Sequence, residues 1–272
     1  MRSITKRFPG VLANDSVDFE ADKGEVHALL GENGAGKSTL ASILTGLYRP
    51  DAGEIAIDGH AVEFHSPKDA MEAGVSMVHQ HFRLAASLTV SDNIVLGHRS
   101  ASWLRTSRRT IDSQVEELSK RYRMPVDPRA RIWQLSVGEQ QRVEILKALY
   151  RGARILILDE PTSLLTPQEA DDLFETLRRM TAEGRTVIFV SHKLDELMAV
   201  SDRVTVLRGG RSIGTVLTRE TTPSELAKMM VGREVVFAQA KSPKDREGAA
   251  VVLELRGVSA TGDLGIRALN GV

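Results

Sequence analysis

The sequence carries, at residues 31–39, the stretch Gly31-Glu32-Asn33-Gly34-Ala35-Gly36-Lys37-Ser38-Thr39. This stretch fits the pattern G-x-x-x-x-G-K-[ST], whose glycines let successive backbone N–H groups turn toward bound phosphate groups. The apolar run at residues 26–30 predicts a buried strand before the loop, and residues 39–47 predict the first turns of a helix after it. Because a strand leads into the loop and a helix N-terminus follows it, the stretch predicts a phosphate-binding loop in an α/β fold.

The loop also carries the side chains that such a site needs. The Lys37 ammonium would lie on the β- and γ-phosphates of a nucleotide, and the Ser38 hydroxyl would ligate Mg²⁺. The alternative is a glycine-rich turn that only joins a strand to a helix, and the coincidence of strand, full pattern and helix start disfavours it. The candidate nucleotide-binding residues are Gly31, Glu32, Asn33, Gly34, Ala35, Gly36, Lys37, Ser38 and Thr39.

The bulk composition is that of an ordinary soluble globular protein. The chain has 272 residues, of which 42% are hydrophobic and 26% are charged, enough for a sizeable core in one large domain or two small ones. Its 36 basic residues balance 36 acidic ones, which gives no support to a nucleic-acid or anionic-membrane surface. The absence of cysteine excludes disulfides and thiolate metal sites, and no apolar run approaches the roughly 20 residues of a membrane span.

The order of patterns along the chain predicts an α/β architecture. Residues 1–30 alternate apolar and polar side chains between turns, as short antiparallel strands do. From about residue 84 to residue 150 the apolar spacing becomes helical, and a helix is expected at residues 140–151. Buried strands at residues 153–158 and 186–190 alternate with helices. We therefore expect a phosphate-loop core, a mostly parallel sheet with flanking helices, together with a small antiparallel β subdomain and a helical subdomain at about residues 84–150.

Two acidic residues follow the buried strand at residues 153–158. Asp159 and Glu160 would lie at the carboxyl edge of the sheet, where α/β proteins bind ligands. There Asp159 can hold Mg²⁺ through water, and Glu160 can polarise an attacking water as a general base. Two acids that merely cap the next helix are the alternative. The combination of Asp159 with Lys37 favours phosphoryl transfer.

The end of the sequence repeats its beginning. A polar, proline-containing stretch at residues 241–248 is typical of a linker. After it, residues 265–272 match residues 10–17 at an offset of 255 (265 − 10). Upstream, Val258 lies over Ile4 at an offset of 254 (258 − 4), which leaves one extra residue in the turn. The position of this match after a linker predicts the start of a second copy of the domain.

With these motifs the chain resembles the nucleotide-binding subunits of ABC transporters. The shared features, besides the phosphate loop, are Gln80 after its strand, the signature Leu135-Ser136-Val137-Gly138-Glu139, the buried strand that ends at Glu160, and His192 after the next strand. They cover nearly the whole chain. A signature placed shortly before the acidic residues is an order that other phosphate-loop ATPases do not share.

Residues 77–82, 143–149 and 163–167 look most similar to the tandem ATPases of simple-sugar and nucleoside importers. Those proteins carry two nucleotide-binding domains in one chain. The resemblance therefore implies an ABC-type ATP-binding domain at residues 1–240, a linker at 241–248, and the truncated start of a second ABC-type domain at residues 249–272.

The resemblance also implies a role for each matching residue. Phe8 would stack on adenine, although a place for this ring in the core of the small sheet is equally open. Gln80 would touch Mg²⁺ and report to the membrane subunits, and His192 would hydrogen-bond the γ-phosphate beside the catalytic Glu160. The residues that hold the metal would be Ser38, Gln80 and Asp159. The signature residues Leu135, Ser136, Val137, Gly138 and Glu139 would reach a nucleotide bound to a partner domain.

The implied function is hydrolysis of ATP, with Mg²⁺, at a dimer interface to drive uptake of a nucleoside or simple sugar. The implied partners are a second ABC-type domain, two membrane-spanning permease subunits and, indirectly, an extracytoplasmic solute-binding protein, without nucleic acid. The implied location is the cytoplasmic face of the plasma membrane. Two other functions stay open: an ATP-gated binding module that turns over slowly, and an ABC-type ATPase that acts on nucleic acid or ribosomes, which the zero net charge disfavours.

Two departures from the family pattern concern the half of the site that is donated to a partner. Val137 and Glu139 stand where the signature usually has Gly and Gln, and Thr166 stands where the loop after Glu160 usually has Asp. A metal site at His79 and His81 is disfavoured, because no carboxylate or cysteine accompanies the two histidines in the sequence.

Overall fold

The computed structural model describes residues 1–97, 107–232, 254–261 and 267–272. The chain divides into two compact units, Met1–Val235 and Val236–Val272. Within the described ranges, no helix is both long and apolar enough to cross a membrane. The predicted linker at residues 241–248 lies outside the described residues.

The first unit has the predicted α/β composition. Its strands and helices, in chain order, are β1 (Arg2–Phe8), β2 (Val11–Val17), β3 (Val26–Leu30), α1 (Lys37–Leu44), β4 (Ala52–Ile57), β5 (His60–Val62), α2 (Pro67–Glu72), β6 (Val75–Val78), α3 (Val90–Val95), α4 (Arg108–Tyr122), α5 (Val137–Tyr150), β7 (Ile155–Asp159), α6 (Pro167–Ala182), β8 (Thr186–Ser191), α7 (Leu194–Val200), β9 (Arg203–Arg208), β10 (Arg211–Leu217) and α8 (Pro223–Val231).

A six-stranded sheet forms the centre of this unit, with the strand order β10-β9-β3-β8-β7-β6. Strand β10 pairs antiparallel with β9, and the other five strands run parallel. Every residue of β3 is buried, as expected for a strand covered on both faces. Because parallel strands end at the same edge, the segments that follow β3, β6, β7 and β8 meet there. These segments begin with the phosphate loop, His79-Gln80, Glu160 and His192.

The side chains of β3 divide between two hydrophobic clusters, because successive residues of a strand point to opposite faces. Val26, Ala28 and Leu30 pack in the larger cluster, with residues of α3 to α7. Leu29 packs in the second cluster, with residues of α1 and with Ile4 of β1. The second cluster thus joins the parallel sheet to a four-stranded antiparallel sheet of order β2-β1-β4-β5. This sheet is the predicted small β subdomain.

The segment at residues 84–150 is helical where the structure describes it, as predicted. It contains α3, α4, a short 3₁₀ helix (Ile132–Gln134) and α5. The helix predicted at residues 140–151 begins three residues earlier than expected, at Val137. Ser136 and Glu139 form a reciprocal capping box, so the backbone is already helical within the signature.

The second unit contains a short antiparallel hairpin, β11 (Ala260–Thr261) with β12 (Arg267–Leu269). Its pairs are Ala260 with Leu269 and Thr261 with Arg267, and the backbone of Val258 exchanges two hydrogen bonds with that of Val272.

The β1–β2 hairpin of the first unit has the same register. Its pairs are Ile4 with Val17, Lys6 with Asn14, and Arg7 with Leu12. These pairs correspond to those of the second unit at the two offsets read from the sequence, 254 for the first strand and 255 for the second.

Candidate functional site

A cleft of about 580 Å³ lies at the carboxyl edge of the parallel sheet. Residues from five segments of the chain contribute to it: the end of β1, the first half of β2, the phosphate loop, the residues after β6 and the end of β7. The sequence-predicted residues that line it are Phe8, Asn33, Gly34, Gly36, Lys37, Ser38, Thr39, Gln80, Asp159 and Glu160. The structure therefore brings together residues that the sequence assigned to nucleotide binding, metal binding and catalysis.

Close packing against two strands dictates glycine at two positions of the phosphate loop. A Cβ atom on Gly31 would lie 2.5 Å from the carbonyl oxygen of Leu207 in β9. A Cβ atom on Gly36 would overlap the carbonyl oxygen of Ala13 in β2, and Gly36 also has a φ of +98°. Both contacts forbid a larger residue, so the glycines let the loop lie directly on its neighbours.

Lys37 is enclosed by the loop that precedes it. Its Nζ donates hydrogen bonds to the carbonyl oxygens of Gly31 (2.7 Å) and Glu32 (3.1 Å), and the residue is 6% exposed. Burial lowers the pKa of Lys37, while the nearby carboxylates of Glu160 and Asp159 act in the opposite direction. A buried ammonium at the start of α1 is a strong attractor for phosphate oxygens.

Asp159 and Ser38 supply oxygen atoms to the cleft. Burial raises the pKa of Asp159, the Glu160 carboxylate raises it further, and Lys37 and a hydrogen bond from Ser38 oppose the rise. A carboxylate and a hydroxyl are ligands that suit Mg²⁺, which normally completes its shell with phosphate and water oxygens. No group of three or more His, Cys, Asp or Glu that could hold a metal occurs among the described residues. The protein atoms therefore fit Mg²⁺ that arrives with a nucleotide.

Glu160 stands at the centre of a hydrogen-bonded group of three side chains. Its backbone has a φ of +46°, unusual outside glycine, and its N–H donates to the carbonyl oxygen of Val190 (2.9 Å). Gln80 Nε2 donates to Glu160 Oε2 (3.3 Å), and His192 Nδ1 lies 2.8 Å from Glu160 Oε1. The sharp turn after β7 thus directs the carboxylate toward Gln80 and His192, two other predicted site residues. Strained backbone of this kind is frequent at functional sites.

Phe8 has features of both alternatives that the sequence left open. The ring is half-buried and lines the cleft. It also packs edge-to-face on Tyr48, with 5.3 Å between ring centroids, and Lys6 Nζ lies 5.6 Å from its centroid. Phe8 is therefore anchored by packing and remains within reach of a molecule in the cleft.

The five signature residues, all of which the structure describes, do not line the cleft of their own chain. Ser136 and Glu139 are occupied by their capping box: the Glu139 N–H donates to Ser136 Oγ (3.3 Å), and the Ser136 N–H donates to Glu139 Oε2 (2.8 Å). Val137 is exposed beside them, and Leu135 is half-buried. Glu139 in place of Gln therefore keeps the geometry of the helix start but leaves a carboxylate there.

A second capping box accommodates Thr166, the other departure from the family pattern. The Glu169 N–H donates to Thr166 Oγ1 (3.3 Å), and the Thr166 N–H donates to Glu169 Oε2 (2.9 Å). The same Glu169 side chain packs so closely on Gly138 that a Cβ atom there would overlap it. The start of α5, which carries the signature, and the start of α6 are thus in direct contact.

Residues 14–163 match the family model described as ABC transporter, which is more than half of the chain. The chain belongs to the ABC transporter family. Its parallel sheet, small antiparallel sheet and helical segment have the arrangement of the solved cassettes of this family. One of them, the dimeric structure of a bacterial ABC transporter cassette, has a TM-score of 0.69 and 26% identity over 80% of this chain and 97% of that one.

Curated relatives of this ABC transporter family member include proteins named for import. The chain is 49% identical to the glucose import ATP-binding protein TsgD13 of Haloferax volcanii, over 100% of the chain and 54% of the relative. It is 48% identical to the nucleoside import ATP-binding protein NupA of Lactococcus lactis, over 99% of the chain and 54% of the relative. The chain spans about half the length of the curated relatives that it matches.

Two residues that support the site of this ABC transporter family member were missed by the sequence interpretation. Asn14 is fully buried beside the phosphate loop, where its Nδ2 donates to the Gly36 carbonyl oxygen (3.3 Å) and its Oδ1 has no partner among the described residues. Gln141 of α5 donates to the carbonyl oxygen of Pro161 (2.8 Å), just after Glu160. Neither residue belongs to a motif. A polar residue at an inward position of β2 is the one signal that could have identified Asn14.

Proposed function

We propose that this chain binds and hydrolyses ATP with Mg²⁺ and couples the hydrolysis to import of a simple sugar or nucleoside. The observation that carries the proposal is the meeting of Lys37, Gln80, Asp159, Glu160 and His192 at one edge of the sheet. The relatives named for glucose and nucleoside import support the transport part. The choice between the two solutes is open, because both names occur at nearly equal identity.

The residues of the cleft supply separate parts of the reaction. The Lys37 ammonium and the loop N–H groups balance the charge of the triphosphate. Glu160 accepts the proton of the attacking water, with one carboxylate oxygen oriented by Gln80 and the other by His192. Phe8 covers the adenine ring of ATP. Each role uses an atom that already lies at the cleft or one hydrogen bond away from it.

Ser38, Asp159 and Gln80 are the residues that would hold Mg²⁺ in this proposal. When bound with ATP, the ion neutralises charge on the β- and γ-phosphates. The chemistry of the donor set supports the assignment, since a buried carboxylate next to a second carboxylate gains from a nearby cation.

A second ABC-type domain is the proposed partner of the signature residues. The dimeric solved cassette supports an arrangement in which two domains face each other. The repeated hairpin register at residues 258–272 supports a second copy of the domain in the same chain. Two permease subunits, an extracytoplasmic solute-binding protein and a position at the cytoplasmic face of the plasma membrane complete the proposal.

Uptake measurements test the transport function. Cells whose only copy of the protein carries Lys37→Ala should lose uptake of one solute among radiolabelled glucose, ribose and guanosine. The matched control is Lys228→Ala, which changes a lysine of α8 outside the cleft. Unchanged uptake of all tested sugars and nucleosides in the Lys37→Ala cells contradicts import of these solutes.

A slow ATP-gated binding module is the second candidate function. The observation in its favour is the Glu139 carboxylate, which would bring negative charge toward a partner's triphosphate. A turnover rate in the assembled protein that stays near zero, with ATP binding intact, would favour this second function.

A further inference from the structure

The loop that follows Gln80 is held by side chains of the helical segment at two successive points. The Arg83 N–H donates to Oε1 of Glu144 (2.7 Å), and Lys147 Nζ donates to the Arg83 carbonyl oxygen (3.1 Å). The Ala85 N–H donates to Oδ1 of Asn93 (2.8 Å), and Asn93 Nδ2 donates to the Ala85 carbonyl oxygen (3.2 Å). Both backbone groups of both residues are therefore bound by side chains of α5 and α3.

Glu144 is a buried carboxylate, and its burial is unfavourable if its role is only to stabilise the fold. It is 7% exposed, and its charge is balanced by Lys147, with 3.5 Å between Oε2 and Nζ. Burying a carboxylate in this way costs hydration that an apolar side chain would not lose, so ion pairs of this kind add little net stability.

The position of this contact connects two parts of the site. Arg83 lies three residues after Gln80, whose Nε2 lies 3.3 Å from Oε2 of Glu160. The helix that carries Glu144 and Lys147 begins directly after Ser136 of the signature.

We propose that Glu144, together with Lys147, is a positioning residue that holds Gln80 against Glu160. The proposal rests on the proposed ATP hydrolysis of this site. Glu144 does not touch the cleft, so it acts through the backbone of Arg83 and then through Gln80.

The expected effect is on the rate of the chemical step and not on nucleotide affinity. Glu144→Ala leaves Lys37 and the phosphate loop unchanged, so the KM for ATP should stay within about twofold. Loss of the Gln80 position should lower kcat about 10-fold, because a small misplacement of a catalytic group is costly. Glu144→Gln keeps an oxygen that accepts from the Arg83 N–H, and it should restore most of the rate. Glu117→Ala, at an exposed glutamate of α4, is the matched control and should behave as wild type.

A double-mutant cycle with Gln80→Ala tests the route of the effect. If Glu144 acts through Gln80, then Glu144→Ala should cause no further loss of kcat in a Gln80→Ala background. The same fold loss in both backgrounds overturns the proposal. A Glu144→Gln variant that is as slow as Glu144→Ala overturns it as well.

Hydrogen exchange of the nucleotide-free chain gives a readout that needs no turnover. Peptides that cover residues 79–86 should exchange faster in Glu144→Ala than in wild type or Glu117→Ala, and Glu144→Gln should remain protected. Unchanged exchange in Glu144→Ala overturns the proposal. A wild-type chain that hydrolyses no ATP in any assembly would overturn the proposed function instead, and the exchange result would then decide the positioning role alone.

Discussion

Nδ1 of His192 lies 2.8 Å from Oε1 of Glu160, so a hydrogen bond joins the residues that follow two neighbouring parallel strands. The other carboxylate oxygen of Glu160 accepts a hydrogen bond from Gln80. Two donors from different strand ends thus fix one carboxylate at the cleft. A carboxylate oriented in this way is suited to accept a proton from water at a defined position.

Glu160→Gln should separate nucleotide binding from chemistry. Glutamine has the shape of glutamate but cannot accept the proton, so ATP should still bind while hydrolysis falls by about 10²-fold or more. Phosphate release under saturating ATP measures the effect, and Glu175→Gln on the exposed side of α6 is the matched control. Near-wild-type turnover of Glu160→Gln, with contaminating ATPases excluded, would mean that the base is another residue.

Asp159→Asn should stabilise the nucleotide-free chain. The pKa of Asp159 is raised by burial and by Glu160 above its usual value of 3.8, so the charged form is disfavoured in the folded state. The resulting penalty is absent below the unfolded pKa and complete above the raised one. The variant should therefore melt a few degrees higher than wild type at neutral pH, and the difference should shrink as the pH falls toward 3.8.

Thermal unfolding at several pH values in the presence of EDTA measures this difference. The same variant should show a weaker dependence of ATP affinity on Mg²⁺, because one of the three proposed ligands is gone. An Asp159→Asn protein that melts at or below the wild-type temperature at neutral pH would contradict the electrostatic account of the cleft.

Glu139→Gln should strengthen ATP-driven association of the domain with its partner. The glutamine oxygen can still accept from the Ser136 N–H, so the start of α5 should be retained. The change removes a negative charge that the signature would otherwise bring to a partner's triphosphate. Sedimentation with ATP in a Glu160→Gln background should show a dimer several-fold tighter when Glu139 is also changed. Equal or weaker association would show that the Glu139 carboxylate does not face the nucleotide.

The sequence predicted the parts of the site that depend on local patterns. The phosphate loop, Asp159-Glu160 and His192 lie at the ends of strands whose apolar runs are visible in the sequence, and parallel pairing brings these ends to one edge. The predicted start of α5, at residue 140, was three residues too late, because the Ser136–Glu139 capping box was not recognised.

Contacts between distant residues could not be predicted in this way. The bond from Arg83 to Glu144 spans 61 residues, and the bond from Asn14 to Gly36 spans 22. Both use an ordinary polar residue whose importance comes from the backbone group that packing brings next to it. No periodicity or spacing in the sequence predicts such a distant hydrogen-bond partner.

The isolated 272-residue chain should hydrolyse ATP only feebly. In the proposed function the signature of one domain completes the cleft of another, and in a homodimer this chain would offer only its own altered signature. Donors that fit poorly lose most of their electrostatic advantage. Hydrolysis should be slow per chain and should not accelerate with concentration. Brisk hydrolysis that rises with the square of protein concentration would contradict this expectation.

Calorimetric titration of the chain with ATP and Mg²⁺ tests the central claim most directly. The wild-type chain should bind one ATP per chain, through the loop that encloses Lys37. Lys37→Ala should weaken binding by about 30-fold or more, since a charge-assisted contact contributes about 2 kcal/mol, while its circular-dichroism spectrum stays native. The absence of saturable binding by wild type, or equal affinity of a folded Lys37→Ala variant, would contradict the account.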